Sequence, residues 1–342
     1  MAVDLLDLPN GREFIWRDGA RLVVFGGGAL GRALESLRRQ GWERFELLTT
    51  QRALRQAPLD LAQAATAVHL VAPGRVSDCS ASIIDEVTAP SLVALGGGRV
   101  IDVAKAIAAV RGGRVAAIPT TLSGAEMTGI HRLPNGHEAP RRVRPAIVFA
   151  DPALMTDLDQ APLRATAMNA LAHGAEALYG PGANPVATLA ALRGAELIAA
   201  ALDQPREGRD RAALALGALL SAHAVDSAGL GYHHAAAQEL VRVMGLPHAE
   251  TNAALLVHTM EAMRVRYPQA LDALAEALGC PPDGLGQRLQ QLGGGPRSLA
   301  AGGADRAHVE AAVDAIRARV ANAPITDPPD RDEIRALIEA AW

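Results

Sequence analysis

The chain has 342 residues, of which 49% are apolar and 20% charged, as in a globular protein with a large buried core. Its length predicts about two domains. The net charge of −4 excludes a basic protein that binds nucleic acid or an anionic membrane by charge alone. Cys79 and Cys280 form no CxxC pattern, so we expect a reducing, cytoplasmic location without disulfides or a cysteine metal site. No apolar run predicts a membrane span.

The first half of the chain alternates between strand-like and helix-like stretches. Short runs rich in β-branched residues predict strands at Arg21–Phe25, Phe45–Thr49, Ala67–Val71, Ser91–Leu95 and Arg114–Ile118. Helical patterns lie between most of these runs. Strands that alternate with helices predict a parallel sheet covered on both faces.

The second half carries helical periodicity and almost no strand signal. One helix begins near Pro162, which suits a first helical turn, and stops at Gly180–Gly182. Further helices are predicted at about 184–203, 208–228, 230–244, 250–264, 268–278, 306–321 and 331–341. The stretch Gly293–Arg297 is interpreted as a loop. We therefore expect an α/β domain, residues 1–155, and an all-helical domain, residues 156–342.

Two glycine clusters compete as the binding site for cofactor phosphates. The first, Gly26–Gly31, satisfies GxGxxG, follows a strand and opens a helix, which is the usual dinucleotide context. An acidic residue for the ribose should follow about twenty residues later. The second strand instead ends in Thr49 and Thr50, with Arg52 just beyond, so Thr49 is the candidate contact. A plain tight turn explains the first cluster equally well.

The second cluster, Gly96, Gly97 and Gly98, also follows a strand and starts a helix. Three glycines allow main-chain N–H groups to approach a pyrophosphate, and the helix N-terminus adds partial positive charge. Asp102 falls in the first turn and Lys105 lies three residues further on the same face. The alternative is an ordinary strand-to-helix turn.

The stretch from Ile118 to Thr128 leaves a strand and is crowded with small hydroxyl residues. Thr120, Thr121 and Ser123 are suited to hydrogen-bond a phosphate, a ribose or a nicotinamide amide. Ser123 and Glu126 also have the spacing of a helix capping box, which is the structural alternative.

A polar constellation marks the helical half. Thr166, Asn169, His173 and Glu176 recur at spacings of three and four and predict one polar stripe on a helix. His233 and His234 begin a later helix, and His248 follows its end. The alternative interpretation is a set of separate core or capping histidines.

Three of these motifs together resemble the iron-containing alcohol dehydrogenase superfamily, and most closely its maleylacetate reductase branch. They are GGGRVIDVAK, PTTLSGAEMT and ATAMNALAHGAEALYG, which occur in the family's order and spacing. The resemblance implies a Rossmann-like N-terminal domain, an all-α C-terminal domain, a cleft between them and a homodimer. It also implies that NADH or NADPH binds with its pyrophosphate on Gly96–Gly98.

The resemblance implies a divalent metal at four positions, which map onto Asn169, His173, His234 and His248. Asn169 replaces the family's aspartate, so a metal would lose its only anionic ligand. Asparagine at this position resembles the maleylacetate reductases, which do not rely on a metal. We therefore expect these four residues to be catalytic without metal. Zinc held by the three histidines is the alternative.

Two further departures concern the substrate. The family often has a proton-relay histidine where this chain has Gln238, and glutamine orients a substrate but does not act as an acid or base. Arg99 replaces the usual serine and is suited to pair with a phosphate or a substrate carboxylate. We expect Arg99, His233 and Gln238 to contact the substrate. A solvated side chain is the alternative for Arg99.

A cluster of arginines, Arg132, Arg141, Arg142 and Arg144, is placed on the segment joining the domains, where a solvated loop is favoured over a dicarboxylate site. The expected function is hydride transfer from NADH or NADPH to a small, carboxylated, unsaturated or carbonyl-containing substrate, with no nucleic acid or membrane partner. The alternatives are a metal-dependent alcohol dehydrogenase, a non-redox cyclase or lyase on the same scaffold, and an inactive cofactor-binding protein.

Overall fold

The computed structural model describes residues 14–139, 142–322, 325 and 327–342. The chain forms two compact units. The first extends to Asp157 and includes Arg211–Ala215, and the second comprises Leu158–Asp210 and Leu216–Trp342. The expected assignment of nucleotide binding to residues 1–155 and catalysis to residues 156–342 stays a prediction.

The first unit contains, within the described residues, a sheet of seven strands. In chain order they are β1 (Phe14–Asp18), β2 (Arg21–Phe25), β3 (Glu46–Thr49), β4 (Val68–Leu70), β5 (Ser91–Gly96), β6 (Arg114–Pro119) and β7 (Ile147–Ala150). Their order across the sheet is β1-β2-β7-β6-β5-β3-β4. All neighbouring strands pair in parallel except β1, which pairs antiparallel with β2. The predicted parallel sheet is confirmed, although the sequence pattern missed β1 and β7.

Helices cover both faces of this sheet. They are α1 (Ala33–Arg39), α2 (Gln51–Leu54), α3 (Leu59–Ala64), α4 (Val76–Ile83), α5 (Gly98–Arg111) and α6 (Pro152–Met155). Leu47 of β3 lies in the core with α1–α3, and its neighbour Leu48 lies in the core with α4 and α5. This alternation buries both sides of the central strands and explains why they are apolar throughout, whereas Val68 and Leu70 of the edge strand β4 are exposed.

The second unit is helical. Its helices are α7 (Gln160–Ala177), α8 (Pro185–Asp203), α9 (Arg211–Ala228), α10 (Tyr232–Met244), α11 (His248–Arg264), α12 (Pro268–Ala277), α13 (Leu285–Gly293), α14 (Val309–Ala321) and α15 (Arg331–Ala340). Helix α7 packs against α8, α10 and α11. Gly194 and Gly217 let α8 and α9 cross closely, since a Cβ at Gly217 would lie 2.7 Å from the Gly194 carbonyl oxygen. The predicted helical half is confirmed.

Three details of the sequence interpretation were wrong. Gly293 ends helix α13, which the pattern missed, rather than beginning a loop. His248 is the first residue of α11, so it sits at a helix start instead of in the preceding turn. Arg132, Arg142 and Arg144 lie between β6 and β7, within the first unit, because β7 follows them. Their side chains are exposed, while Arg141 lies outside the described residues.

One described helix, α8, is long and apolar enough to cross a membrane, with a mean hydropathy of 1.4, and half of that stretch is buried within the protein. Helices α9 and α10 meet the same criterion only when taken as one span bent by 98°. Partial burial is also what a core helix of a globular protein shows.

Candidate functional site

The second glycine cluster lies where β5 ends and α5 begins, at the carboxyl edge of the sheet. Gly97 and Gly98 are partly exposed there. None of the three glycines has a positive φ, so their main-chain conformation does not require glycine. The limited space around them does require glycine. A Cβ would lie 2.6 Å from Val100 at Gly96, 3.0 Å from Thr121 at Gly97 and 2.9 Å from Ser123 at Gly98.

The loop after β6 forms the other side of this surface. The Thr120 main-chain N–H donates to the Gly96 carbonyl at 3.0 Å, which fixes the loop against the end of β5. Thr121 and Ser123 then lie directly against Gly97 and Gly98. The structure therefore brings together the two motifs that the sequence predicted as nucleotide contacts, at a helix N-terminus suited to phosphate.

Lys105 has a different environment from the one expected of a nucleotide contact. Its side chain has no exposed surface, and its ammonium donates to Asp102 Oδ1 at 2.8 Å, the Ala125 carbonyl at 3.0 Å and the Ile130 carbonyl at 2.7 Å. The expected direct contact with the nucleotide stays a prediction, although all three donors are used within the protein. Asp102 keeps 27% of its side chain exposed and remains a candidate contact.

The first glycine cluster is occupied by a carboxylate of the protein. Asp151, which follows β7, accepts from the Gly28 N–H at 3.0 Å and from the Leu30 N–H at 3.4 Å. It also caps α6 through the Ala153 N–H at 3.1 Å. Gly26 and Gly28 have positive φ of 128° and 79°, as a tight turn requires. This geometry favours the tight-turn alternative for the GxGxxG match.

The ribose contact expected at Thr49 also stays a prediction, and the structure places this side chain in the interior. Thr49 is fully buried, and its hydroxyl donates to the Thr50 carbonyl. Thr50 instead caps α2 by accepting from the Ala53 N–H at 3.2 Å. Arg52, in the same turn, is exposed and donates to the Asp157 carbonyl. The sequence pattern did not separate the two threonines, because strand alternation alone does not fix where a short strand ends.

Arg99 is exposed in the first turn of α5. Burial raises the pKa of the Cys79 thiol, and the nearby Arg99 charge partly offsets this, which places the guanidinium beside α4. A solvated arginine at the edge of the glycine surface fits this position, and its expected contact with substrate stays a prediction.

In the second unit, a buried carboxylate organises the histidines. Glu176 of α7 has no exposed surface and lies at the start of α10. One carboxyl oxygen accepts from the His234 main-chain N–H at 3.2 Å, and the other lies 2.6 Å from His234 Nδ1. Main-chain N–H groups at a helix start favour a carboxylate, so we assign the shared proton to Nδ1. His234 Nε2 then carries the lone pair.

His173 and His234 lie together as stacked rings, with centroids 4.6 Å apart and planes within 9°. They are 8% and 2% exposed. Burial lowers the pKa of His234 to about 3 and holds the pKa of His173 well below its usual value, so both are neutral near pH 7. Among the described residues, neither His173 Nδ1 nor His234 Nε2 has a hydrogen-bond partner.

His233 is part of an internal chain of hydrogen bonds. Its Nδ1 lies 2.7 Å from Thr259 Oγ1, and its Nε2 lies 2.9 Å from Asn252 Oδ1. The Asn252 amide donates to the His248 carbonyl at 2.8 Å and lies 3.2 Å from His248 Nε2. The substrate contact expected at His233 stays a prediction, although the ring is fully buried and both nitrogens are paired within the protein. Its role is to hold Asn252 against His248, which is exposed.

The substrate contact expected at Gln238 stays a prediction as well, and the structure shows a partner for this side chain within the protein. Its side-chain oxygen accepts from Arg319 of α14, which also pairs with Glu239 at 3.0 Å. The residue at the family's relay position therefore ties α10 to α14. Spacing along α10 indicated a shared face with His234, but the arginine partner lies 81 residues away in sequence and left no local signal.

The expected absence of a bound metal stays a prediction. In the part of the chain that the structure describes, no three His, Cys, Asp or Glu side chains converge on a point where an ion would be ligated. Stacked rings such as His173 and His234 direct their in-plane lone pairs side by side, and Asn169 supplies no charge.

Comparison with known proteins covers both units. Residues 20–152 match the model for iron-containing alcohol dehydrogenase, and residues 164–342 match that for the C-terminal part of the Fe-containing alcohol dehydrogenase family. A maleylacetate reductase of Burkholderia cepacia is 34% identical, with 94% of this chain and 95% of that protein covered. Maleylacetate reductase 1 of Rhodococcus opacus is 31% identical, with 96% of each covered. The crystal structure of maleylacetate reductase from Agrobacterium tumefaciens superposes with a TM-score of 0.83 at 30% identity, covering 96% of this chain and 98% of that one.

Gly97→Val is expected to abolish nicotinamide-nucleotide binding, because its branches would fill the surface between Gly97 and Thr121. Gly28→Ala is the matched control. It meets no atom within 4 Å but strains a φ of 79°, so it should reduce stability by about 1 kcal/mol and leave affinity nearly unchanged. Fluorescence titration with NADH and NADPH, alongside thermal melting, measures both effects. The reverse order of affinities would show that the glycine assignment is wrong.

Glu176→Gln is expected to lower kcat by about a hundredfold or more, because an amide facing Nδ1 moves the His234 proton to Nε2. Nucleotide affinity should not change. Glu261→Gln, an exposed glutamate on α11, is the matched control. Unchanged turnover in Glu176→Gln would show that the carboxylate does not set the chemistry of His234.

Proposed function

Because the chain belongs to the iron-containing alcohol dehydrogenase family, we propose that it reduces maleylacetate or a closely similar unsaturated oxo-carboxylate without a metal. The chain is an NAD(P)-dependent oxidoreductase of the maleylacetate reductase-like branch, as predicted from its motifs. The proposal concerns the substrate, the catalytic residues and the absence of a metal. The observation that carries it is the pair of buried, neutral rings of His173 and His234, together with the uncharged amide of Asn169.

The chemistry needs a hydride, a proton and a group that receives charge. In maleylacetate a carbon–carbon double bond is conjugated with a ketone, between two carboxylates. A hydride from NADH or NADPH adds to the double bond, and the electron pair moves onto the ketone oxygen. A proton then adds to the neighbouring carbon, which regenerates the ketone and leaves NAD⁺ or NADP⁺. Hydrogen-bond donors that stabilise the negative oxygen therefore accelerate the reaction.

His248 is the residue we assign as hydrogen-bond donor to the ketone oxygen while that oxygen carries negative charge. It is exposed at the start of α11, so water reaches this position and supplies the proton that adds to carbon. The Asn252 amide next to Nε2 favours the neutral form with hydrogen on Nδ1. A neutral imidazole N–H is a donor for a developing oxyanion.

His234 and Asn169 complete the proposed set. With Glu176 bound at Nδ1, the lone pair of His234 Nε2 is available to accept a hydrogen bond from a ligand, rather than acting as the acid expected from sequence. If a proton reaches Nε2, the Glu176 carboxylate stabilises the resulting cation. Asn169 is 4% exposed on the same face of α7 as His173, and its amide is suited to orient a substrate oxygen.

The nucleotide is assigned to the first unit. Gly96–Gly98 and the start of α5 are proposed to bind the pyrophosphate, with Thr121 and Ser123 beside it. Thr120 and Asp102 are proposed as further contacts. A homodimer and a cytoplasmic location stay predictions.

A metal-dependent alcohol dehydrogenase is the second candidate, since His173, His234 and His248 occupy the positions that the resemblance assigns to metal ligands. The non-redox and inactive alternatives lose support, because the relatives with full-length similarity are named as reductases. Metal content separates the two redox candidates.

The purified protein is expected to carry well under one equivalent of tightly bound metal and to keep its activity toward maleylacetate in a chelator. His234→Ala and His248→Ala should each lower kcat by about a hundredfold or more without changing metal content. His258→Ala, a histidine on α11 that is 21% exposed, is the matched control. Stoichiometric iron or zinc that is lost together with activity would favour the alcohol dehydrogenase instead.

NADPH is expected to bind within about tenfold of NADH, because the end of β3 presents no carboxylate to repel a 2′-phosphate and exposed Arg52 lies in the next turn. Arg52→Gln should weaken NADPH binding and leave NADH binding unchanged, with exposed Arg55→Gln as the control. A preference for NADH of a hundredfold or more, about 2.7 kcal/mol, would contradict this assignment.

A further inference from the structure

The chain uses arginine almost exclusively as its cationic residue. It contains 33 lysine and arginine residues, and Lys105 is the one lysine among them. An exposed lysine is usually replaceable by arginine, because both carry the same charge on a flexible stem. The single lysine, at residue 105, therefore indicates a position where the shape of the cationic group matters as well as its charge.

The surroundings of Lys105 explain this exception. The side chain is fully buried within the first unit, and its three N–H donors are each taken by one oxygen acceptor, at Asp102, Ala125 and Ile130. An ammonium points three donors in different directions from one atom, whereas a guanidinium is a larger planar fork. Arginine in this space would be overpacked and would not reproduce the three directions.

We infer that Lys105 is a positioning residue for the nucleotide site, which holds the segment Ala125–Ile130 so that Thr121 and Ser123 lie against the glycine surface. The inference rests on the proposed nucleotide site. Lys105 binds the Ala125 and Ile130 carbonyls. Ser123 precedes Ala125 by two residues and lies against Gly98, so the contacts lead without a break from Lys105 to the glycine surface.

A second cation holds the same segment and shows the contrast. Arg21, which is 6% exposed at the start of β2, donates through one nitrogen to the Met127 carbonyl and through another to Asp18. These two acceptors match the two terminal nitrogens of a planar guanidinium, so arginine is suited to this position. The carbonyls of Ala125, Met127 and Ile130 are thus bound by two buried cations, and together these fix the segment.

Glu126 adds a reason why the segment needs a cation. It is fully buried, and neither carboxyl oxygen has a hydrogen-bond partner among the described residues. Burial raises the pKa of Glu126 to about 7, and the charges of Lys105 and Arg21 oppose this rise. Removing the Lys105 charge would therefore leave the buried Glu126 and the partly exposed Asp102 with less compensation.

Three variants test the inference. Lys105→Arg keeps the charge but changes its shape, Lys105→Met keeps the approximate length but removes the charge, and Arg111→Lys changes an exposed cation at the end of the same helix. We expect both Lys105 variants to raise the Kd for NADPH at least about tenfold. At saturating nucleotide their kcat should stay within about threefold of wild type. Arg111→Lys should match wild type in both.

A purely structural role would lower the melting temperature of the Lys105 variants and leave the nucleotide Kd of the folded protein unchanged. That result, or a Kd for Lys105→Arg equal to wild type, would overturn the inference. If wild type binds neither NADH nor NADPH, the proposed nucleotide site fails instead, which is a distinguishable outcome.

Labelling of the wild-type protein decides the matter if the variants do not fold. Because Lys105 is the one lysine, an amine-acetylating reagent modifies no other lysine side chain. Mass spectrometry of the peptide that contains Lys105 therefore reports directly how often the Ala125–Ile130 segment opens. Cys79, buried on α4 of the same unit, is the internal reference with a thiol reagent. NADPH is expected to slow acetylation of Lys105 by at least about tenfold more than it slows modification of Cys79. Equal slowing would indicate general stabilisation and contradict the inference.

Discussion

The Glu176 carboxylate lies fully buried at the start of α10 and accepts hydrogen bonds from both the main chain and the ring of His234. Burying a charge is costly unless it is hydrogen-bonded, and the helix start supplies those donors. One side chain thus joins α7 to α10 and determines which nitrogen of His234 carries a lone pair. The stacked His173 lies against this ring, and burial together with the neighbouring histidines keeps the pKa values of both rings low.

The first unit depends on a different constraint, which is the close approach of two loops at the edge of the sheet. Glycine is needed at residues 96–98 because the neighbouring loop occupies the space that a side chain would fill. The earlier cluster needs glycine for its positive φ, and Asp151 uses its N–H groups. Two glycine-rich turns with similar sequence therefore have different physical causes, and the structure leaves one of them as the candidate phosphate site.

Periodicity and motif order predicted the parallel sheet, the helical half and the family. They did not predict the roles of residues whose partners are distant in sequence. Gln238 binds Arg319 and Lys105 binds the carbonyls of Ala125 and Ile130, which only the tertiary fold brings together. His233 has the local sequence features of a catalytic histidine, but only the tertiary structure shows that its two ring nitrogens are paired with Thr259 and Asn252. Glu176 lay on the predicted polar stripe, but its contact with His234 required the packing of α7 on α10.

The nitrogen chemical shifts of the histidine rings test the central claim most directly, which is that the Glu176 carboxylate keeps the ring hydrogen of neutral His234 on Nδ1. Spectra of ¹⁵N-histidine-labelled protein near pH 7, with His234 identified by loss of its signals in His234→Gln, report the protonation of each ring nitrogen. The account predicts that His234 is neutral, with hydrogen on Nδ1 and a lone pair on Nε2. A doubly protonated ring, or hydrogen on Nε2, would contradict it.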